Sequence, residues 1–336
     1  MDTKMSLFKM LSGALIFFAL NIQISSAQIY SIRAHDPAII KTDSTYYIFA
    51  TGRGILFWSS TDRQHWQFRG RIFNRTPDWV YQVVPDFNGD MWAPDISYHN
   101  GKYYLFYAVS KFERNTSAIG LATNVTLNPD DPNYYWDDHG IVIRSIPGRD
   151  LWNAIDPNLI EDENGTPWLV FGSFWDGIKL VQLDSSRTKI AYPEKWYTVA
   201  CRPRTFGLDD TLPGDGAIEA PYIIHRNGYY YLFVSFDYCC RGVKSNYKVA
   251  VGRSKQICGP YVDQQGKPMT QGGGTIIVEG NSHFPGLGHN AILRDDGKDY
   301  IVLHAYDAEH NGIPDLAILP IRWVNDWPVV DKSYLQ

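Results

Sequence analysis

Three carboxylic acids and a histidine stand at corresponding points of a short phrase that this 336-residue chain repeats five times. The copies read Asp36-Pro37-Ala38-Ile39 to Tyr46-Tyr47-Ile48-Phe49, Ala93-Pro94-Asp95-Ile96 to Tyr103-Tyr104-Leu105-Phe106, and Asp156-Pro157-Asn158-Leu159 to Trp168-Leu169-Val170-Phe171. Two more follow, Ala220-Pro221-Tyr222-Ile223 to Tyr230-Tyr231-Leu232-Phe233 and His289-Asn290-Ala291-Ile292 to Tyr300-Ile301-Val302-Leu303. The residue before each Pro, or before Asn290 in the last copy, forms a column of Asp36, Ala93, Asp156, Ala220 and His289, with Glu219 one place ahead of Ala220. An Asp before Pro is by itself commonly a turn residue. If the column converges in space, however, three carboxylates and an imidazole share one site, at a cost in repulsion and desolvation that a purely structural site avoids.

Glu219 lies in the apolar stretch Ala217-Ile218-Glu219-Ala220-Pro221, where burial raises a carboxyl pKa and keeps its proton near neutral pH. The plain alternative is a core Glu paired with an Arg. One protonated and one ionised carboxyl are the equipment for cleaving a glycosidic bond. A third acid beside the proton donor can hold up its pKa and hydrogen-bond a sugar hydroxyl. Asp95 follows its Pro, falls outside the column, and reads as structural.

The elements that must position these residues are strands. The column positions 36, 93, 156, 220 and 289 are spaced by 57 to 69 residues, long enough for one four-stranded sheet per repeat. Asn100-Gly101, Asn164-Gly165, Asn227-Gly228 and Asp296-Gly297 mark hairpin turns within the repeats. Further strands are expected at 55–59, 119–123, 178–183, 248–253 and 316–321, and no long segment has helical periodicity. The expected fold is all-β, a five-bladed β-propeller, in which the inner strand of every blade begins near the axis on one face.

Four motifs, Ala34-His35-Asp36-Pro37, Trp152-Asn153-Ala154-Ile155-Asp156-Pro157, Ala217-Ile218-Glu219-Ala220-Pro221 and Gly288-His289-Asn290, resemble those of glycoside hydrolase family 43, from about Ile32 to Val324. Within it the chain is most similar to the endo-α-1,5-L-arabinanases, inverting five-bladed propellers. The resemblance implies Asp36 as general base, Glu219 as general acid, and Asp156 as the group that modulates the acid's pKa and orients substrate. It implies an arabinan or arabino-oligosaccharide substrate held by Asp36, Gly120, Asn153, Ala154, Ile155, Asp156, Ser173, Phe174, Trp175 and His289. Trp92 and Phe112 are candidate stacking platforms for the sugar rings, with core packing as their alternative. His289 matches a histidine that contacts a central ion, usually calcium with waters. Imidazole is a poor calcium ligand, so a hydrogen-bonding histidine is the alternative. An arabinofuranosidase or β-xylosidase of the same family, and a non-catalytic sugar-binding propeller, are the competing functions.

Lys4 and Lys9, an apolar run from Leu11, and Ser25-Ser26-Ala27 read as a signal peptide over 1–27, leaving 28–336 as one catalytic domain, secreted or periplasmic and not membrane-bound after cleavage. No linker divides that length. A formal net charge of -5 with no basic stripe argues against nucleic acid as a partner, and a monomer is expected. Cys201, Cys239, Cys240 and Cys258 could form disulfides after export, yet adjacent Cys239 and Cys240 are not expected to pair without distorting the peptide between them. No Cys-x-x-Cys spacing, nor the six-residue spacings of His283 with His289 and of His304 with His310, indicates zinc.

Overall fold

The computed structural model describes residues 28–30 and 32–333; the expected signal peptide lies outside them. The described chain forms five antiparallel sheets, each entered at its innermost strand and built outward. The innermost strands are Ala38–Thr42, Asp90–His99, Asn158–Glu161, Ile218–Arg226 and Leu287–Asp295, and all five follow or contain a column residue. The sheets are the blades of a five-bladed propeller, as the repeat predicts. Helix is confined among the described residues to Asp78–Val83 and two short 3₁₀ turns.

The aromatic-rich run of every repeat is the second strand of its blade, buried on both faces because a neighbouring sheet covers each side. Alternation then assigns successive side chains to opposite neighbours. In blade 1, Phe49 packs toward Leu105 and Tyr107 of blade 2, whereas Ile48 packs toward Val302 and Leu316 of blade 5. Comparable apolar clusters fill the gaps between blades 2 and 3, 3 and 4, and 4 and 5. The ring closes through Gln28–Tyr30, which pairs with Leu316–Ile318 of the last blade and so ties the start of the described chain to its end.

The cysteine expectation is corrected. Cys239 and Cys240 are joined to each other, and Cys201 and Cys258 are free. The adjacent pair sits in a turn after Tyr229–Phe236 in which Cys240 has φ 62, so the local backbone conformation absorbs the constraint that an extended strand could not.

Candidate active site

All five column residues share one unusual backbone state. Asp36, Ala93, Asp156, Ala220 and His289 have φ of 52, 42, 57, 53 and 51°, the left-handed region. Each non-glycine residue there costs about 1 kcal/mol or more, which persists only where the surroundings over-determine it. In blades 2, 4 and 5 the strain coincides with a register shift in the inner hairpin, between Trp92 and Asp95, Glu219 and Tyr222, and Gly288 and Ala291. The bend is held by side chains from the preceding blade. Ala93 N donates to Thr51 Oγ1 at 2.8 Å, Ala220 N to Asp156 Oδ2 at 3.0 Å, His289 N to Ser235 Oγ at 2.9 Å, and Asp36 N to His304 Nδ1 at 3.1 Å. The same backbone device that turns each inner strand thus gathers the column around the axis.

Asp36 is buried, and burial alone would raise its pKa. His35 and His289 more than offset this by charge and hydrogen bonding, and hold the carboxyl well below the usual range. His35 Nδ1 lies 2.9 Å from Oδ2, His289 Nδ1 3.1 Å from Oδ1, and Thr51 Oγ1 donates to Oδ2 at 2.6 Å. His35 is held from behind, its Nε2 2.8 Å from the Tyr306 hydroxyl, which also accepts from Cys240 N at 2.8 Å. Burial keeps His304 neutral, its pKa well below the ordinary value. Because its Nδ1 accepts from Asp36 N, its proton is on Nε2.

The other two acids are pushed the opposite way. Burial is the largest cause for both. Asp156 rises to about 8, against His289 and with the help of Glu219 and Asp36. Glu219 rises despite donated hydrogen bonds from Ser173 Oγ at 2.7 Å and Tyr247 Oη at 2.8 Å. The acids are close enough to titrate together, and the pair retains a proton in the neutral range. His289, although buried, is raised to about 9 by Asp36, Asp156 and Glu219, so it is the cation that lets these acids share one site.

Asn153, Ala154, Ile155 and Ser173 are all buried, Ser173 against Glu219. Ser117 Oγ donates to Asn153 Oδ1 at 2.6 Å, and Ala154 N donates to Ser145 Oγ at 3.0 Å. Phe112 is 63 % exposed in the loop that follows the second strand of blade 2, on the face where the column begins. Phe174 is half-buried, with Tyr238 of blade 4 at 6.0 Å between ring centroids, and Trp92 is also half-buried. Two residues take packing positions instead. Trp175 is 3 % exposed and donates from Nε1 to Asp210 O at 2.8 Å. Gly120 lies inside the third strand of blade 2, where a Cβ would meet Tyr107 Cζ at 2.7 Å and Trp79 Cζ2 at 2.9 Å. Asp95 is structural as expected, bonded to Asn158 Nδ2 at 3.0 Å and Leu159 N at 2.8 Å across the gap to blade 3.

A calcium ion at His289 finds little protein to hold it. Its Nδ1 faces Asp36, and the cluster beside it, His35, Asp36 and His304, offers two imidazoles and a single carboxylate where calcium takes six to eight oxygens. A calcium there would be held chiefly by waters, and no step of the reaction runs through one. His35, Thr51, Tyr247, His304 and Tyr306 are site residues that the column did not reveal. The available signal was a polar residue near the end of the second strand of a blade, as in Thr51, Ser173, Ser235 and His304.

The family model for glycosyl hydrolases family 43 matches residues 27–328. The extracellular exo-α-(1→5)-L-arabinofuranosidase of Cellvibrio japonicus is 48 % identical over 90 % of this chain and 88 % of its own length. The extracellular endo-α-(1→5)-L-arabinanase 1 of Bacillus subtilis is 46 % identical over 88 % of this chain and 86 % of its own. The Cellvibrio cellulosa α-L-arabinanase structure complexed with arabinohexaose superposes with a TM-score of 0.89 at 48 % identity, covering 91 % of this chain and 97 % of that one. By sequence, by blade architecture and by the family model, this chain belongs to glycoside hydrolase family 43.

Proposed function

We propose that the protein is a secreted arabinan hydrolase that cuts internal α-1,5-L-arabinofuranosyl bonds by single displacement. The observation that carries the reading is the opposed tuning of the buried acids: Asp36 is held ionised by His35 and His289, while Asp156 and Glu219 are pushed toward the protonated form. Asp36 is the base, taking a proton from the water that attacks the anomeric carbon. Glu219 is the acid, giving its proton to the departing sugar oxygen. Asp156 tunes Glu219 and accepts a substrate hydroxyl. Inversion asks for about 6.5–9.5 Å between base and acid carboxyls, with the water between. Secretion rests on the signal-like N-terminus and on the extracellular Cellvibrio and Bacillus relatives.

Internal cleavage is supported by aromatic surface spread over the active face, with exposed Phe112 on blade 2 and Phe174 beside Tyr238 between blades 3 and 4, which suits several consecutive sugars. Release from a chain end is the second reading, favoured by the relative named as an exo-acting arabinofuranosidase. Timed product sizing on linear arabinan separates them. A ladder of arabino-oligosaccharides at early times is expected, and a single short product from the outset would establish the second reading. Xylose from xylan with no arabinan products would overturn both.

The tuning role of Asp156 has its own consequence. Asp156 and Glu219 titrate as a pair, so the charge left on one when it ionises holds the proton on the other, and Asp156→Asn, which removes that charge, lets Glu219 lose its proton at lower pH. The alkaline limb of the kcat/KM profile is therefore expected to move to lower pH, with the acidic limb, set by Asp36, unmoved. An alkaline limb that stays in place would remove Asp156 from that role.

A further inference from the structure

Blade 5 carries a second cluster of acids and imidazoles that the proposed reaction does not use. Asp307 ends the second strand of that blade and Asp315 lies two residues into the third, across the loop 308–312. Their carboxyls are buried, the residues being 6 % and 8 % exposed. An oxygen from each and a ring nitrogen of His310 all lie within 4.8 Å of one another. His310 Nδ1 is 2.6 Å from Asp307 Oδ2, and His283 Nε2 is 3.9 Å from Asp307 Oδ1. Among the described residues no donor reaches the Asp315 carboxylate, and no Lys or Arg comes within ion-pair distance of either Asp. The two carboxylates stand together with His310 as their near positive neighbour and Arg33 farther off, and a cation between them would relieve the repulsion that remains.

We propose that Asp307, His310 and Asp315 form a binding site for a divalent metal of the zinc class, with His283 placed to supply a fourth ligand. Imidazole and carboxylate donors in this number suit zinc, whereas calcium would need more oxygens and magnesium an oxygen octahedron. His310 is 66 % exposed at its side chain and provides the way in. The local spacing of these residues fits no metal motif because two strands and the segment before the inner strand bring them together. That segment is already tied to the loop, since Ala308 N donates to His283 O at 2.8 Å and Tyr306 N to Gly286 O at 2.9 Å. A bound ion would lock this tie next to Tyr306, whose hydroxyl supports His35. The role is structural and independent of the hydrolytic reading.

The test is zinc uptake by the whole enzyme after chelator treatment and desalting, with metal per chain counted by mass spectrometry and affinity measured by calorimetry. Wild type is expected to bind one zinc that His289→Ala retains. His310→Ala and Asp315→Asn should each weaken binding at least tenfold while hydrolysing arabinan as wild type does without added metal. Zinc should raise the thermal midpoint of wild type and not of His310→Ala. No zinc uptake by wild type, or equally tight binding by both variants with circular dichroism showing them folded, would overturn the proposal.

Discussion

Glu219→Ala is expected to lower kcat on arabinan by about 10²–10⁴-fold, the ordinary worth of general acid catalysis, with little change in KM. The loss should be much smaller on an aryl arabinofuranoside whose phenolate leaves without a proton. The contrast between substrates is the signature of a proton donor. Truncation also leaves the Ser173 and Tyr247 hydroxyls without their acceptor, so Glu219→Gln, which keeps one, serves as the second variant. Equal losses on both substrates would assign Glu219 to positioning.

Asp36→Ala is expected to be at least as damaging and, unlike Glu219→Ala, to affect both substrates alike, because each needs an activated water. The backbone there tolerates alanine: Ala93 and Ala220 hold equivalent points of blades 2 and 4 at φ 42 and 53°. The electrostatics are less forgiving, since His35 and His289 lose the carboxylate between them. Asp36→Asn, which retains hydrogen-bond acceptance, therefore accompanies it. Azide, which attacks without deprotonation, should restore part of the turnover of either variant and yield an arabinosyl azide of inverted configuration. Failure of azide to rescue a folded variant, together with a substrate-dependent loss, would argue against Asp36 as base.

How much of this was legible in the chain depends on where each residue's partners lie. The aromatic second strands and the turns before them are local, and so the five blades could be read directly. The acid column was equally open, because copies of one phrase can be aligned. The partners were not. His304 and Tyr306 reach Asp36 and His35 from the last blade to the first, a separation of 268 to 271 residues that only ring closure removes. Tyr247 meets Glu219 from the position just before a third strand, where nothing in the repeat marks it. The shared left-handed backbone was hidden for another reason: Ala93 and Ala220 carry no preference for it, and side chains of the preceding blade impose it. The link between Cys239 and Cys240 was hidden because no residue type marks the turn that accommodates it, with Cys240 at φ 62.

The central claim is that one water, activated by Asp36, displaces the leaving sugar in a single step. Proton NMR of the first products from linear arabinan tests it most directly. The account predicts that the new reducing end appears first as the β-anomer and only then equilibrates with the α form. Initial appearance of the α-anomer would mean double displacement through a glycosyl-enzyme intermediate, and would contradict the assignment of Asp36 as base.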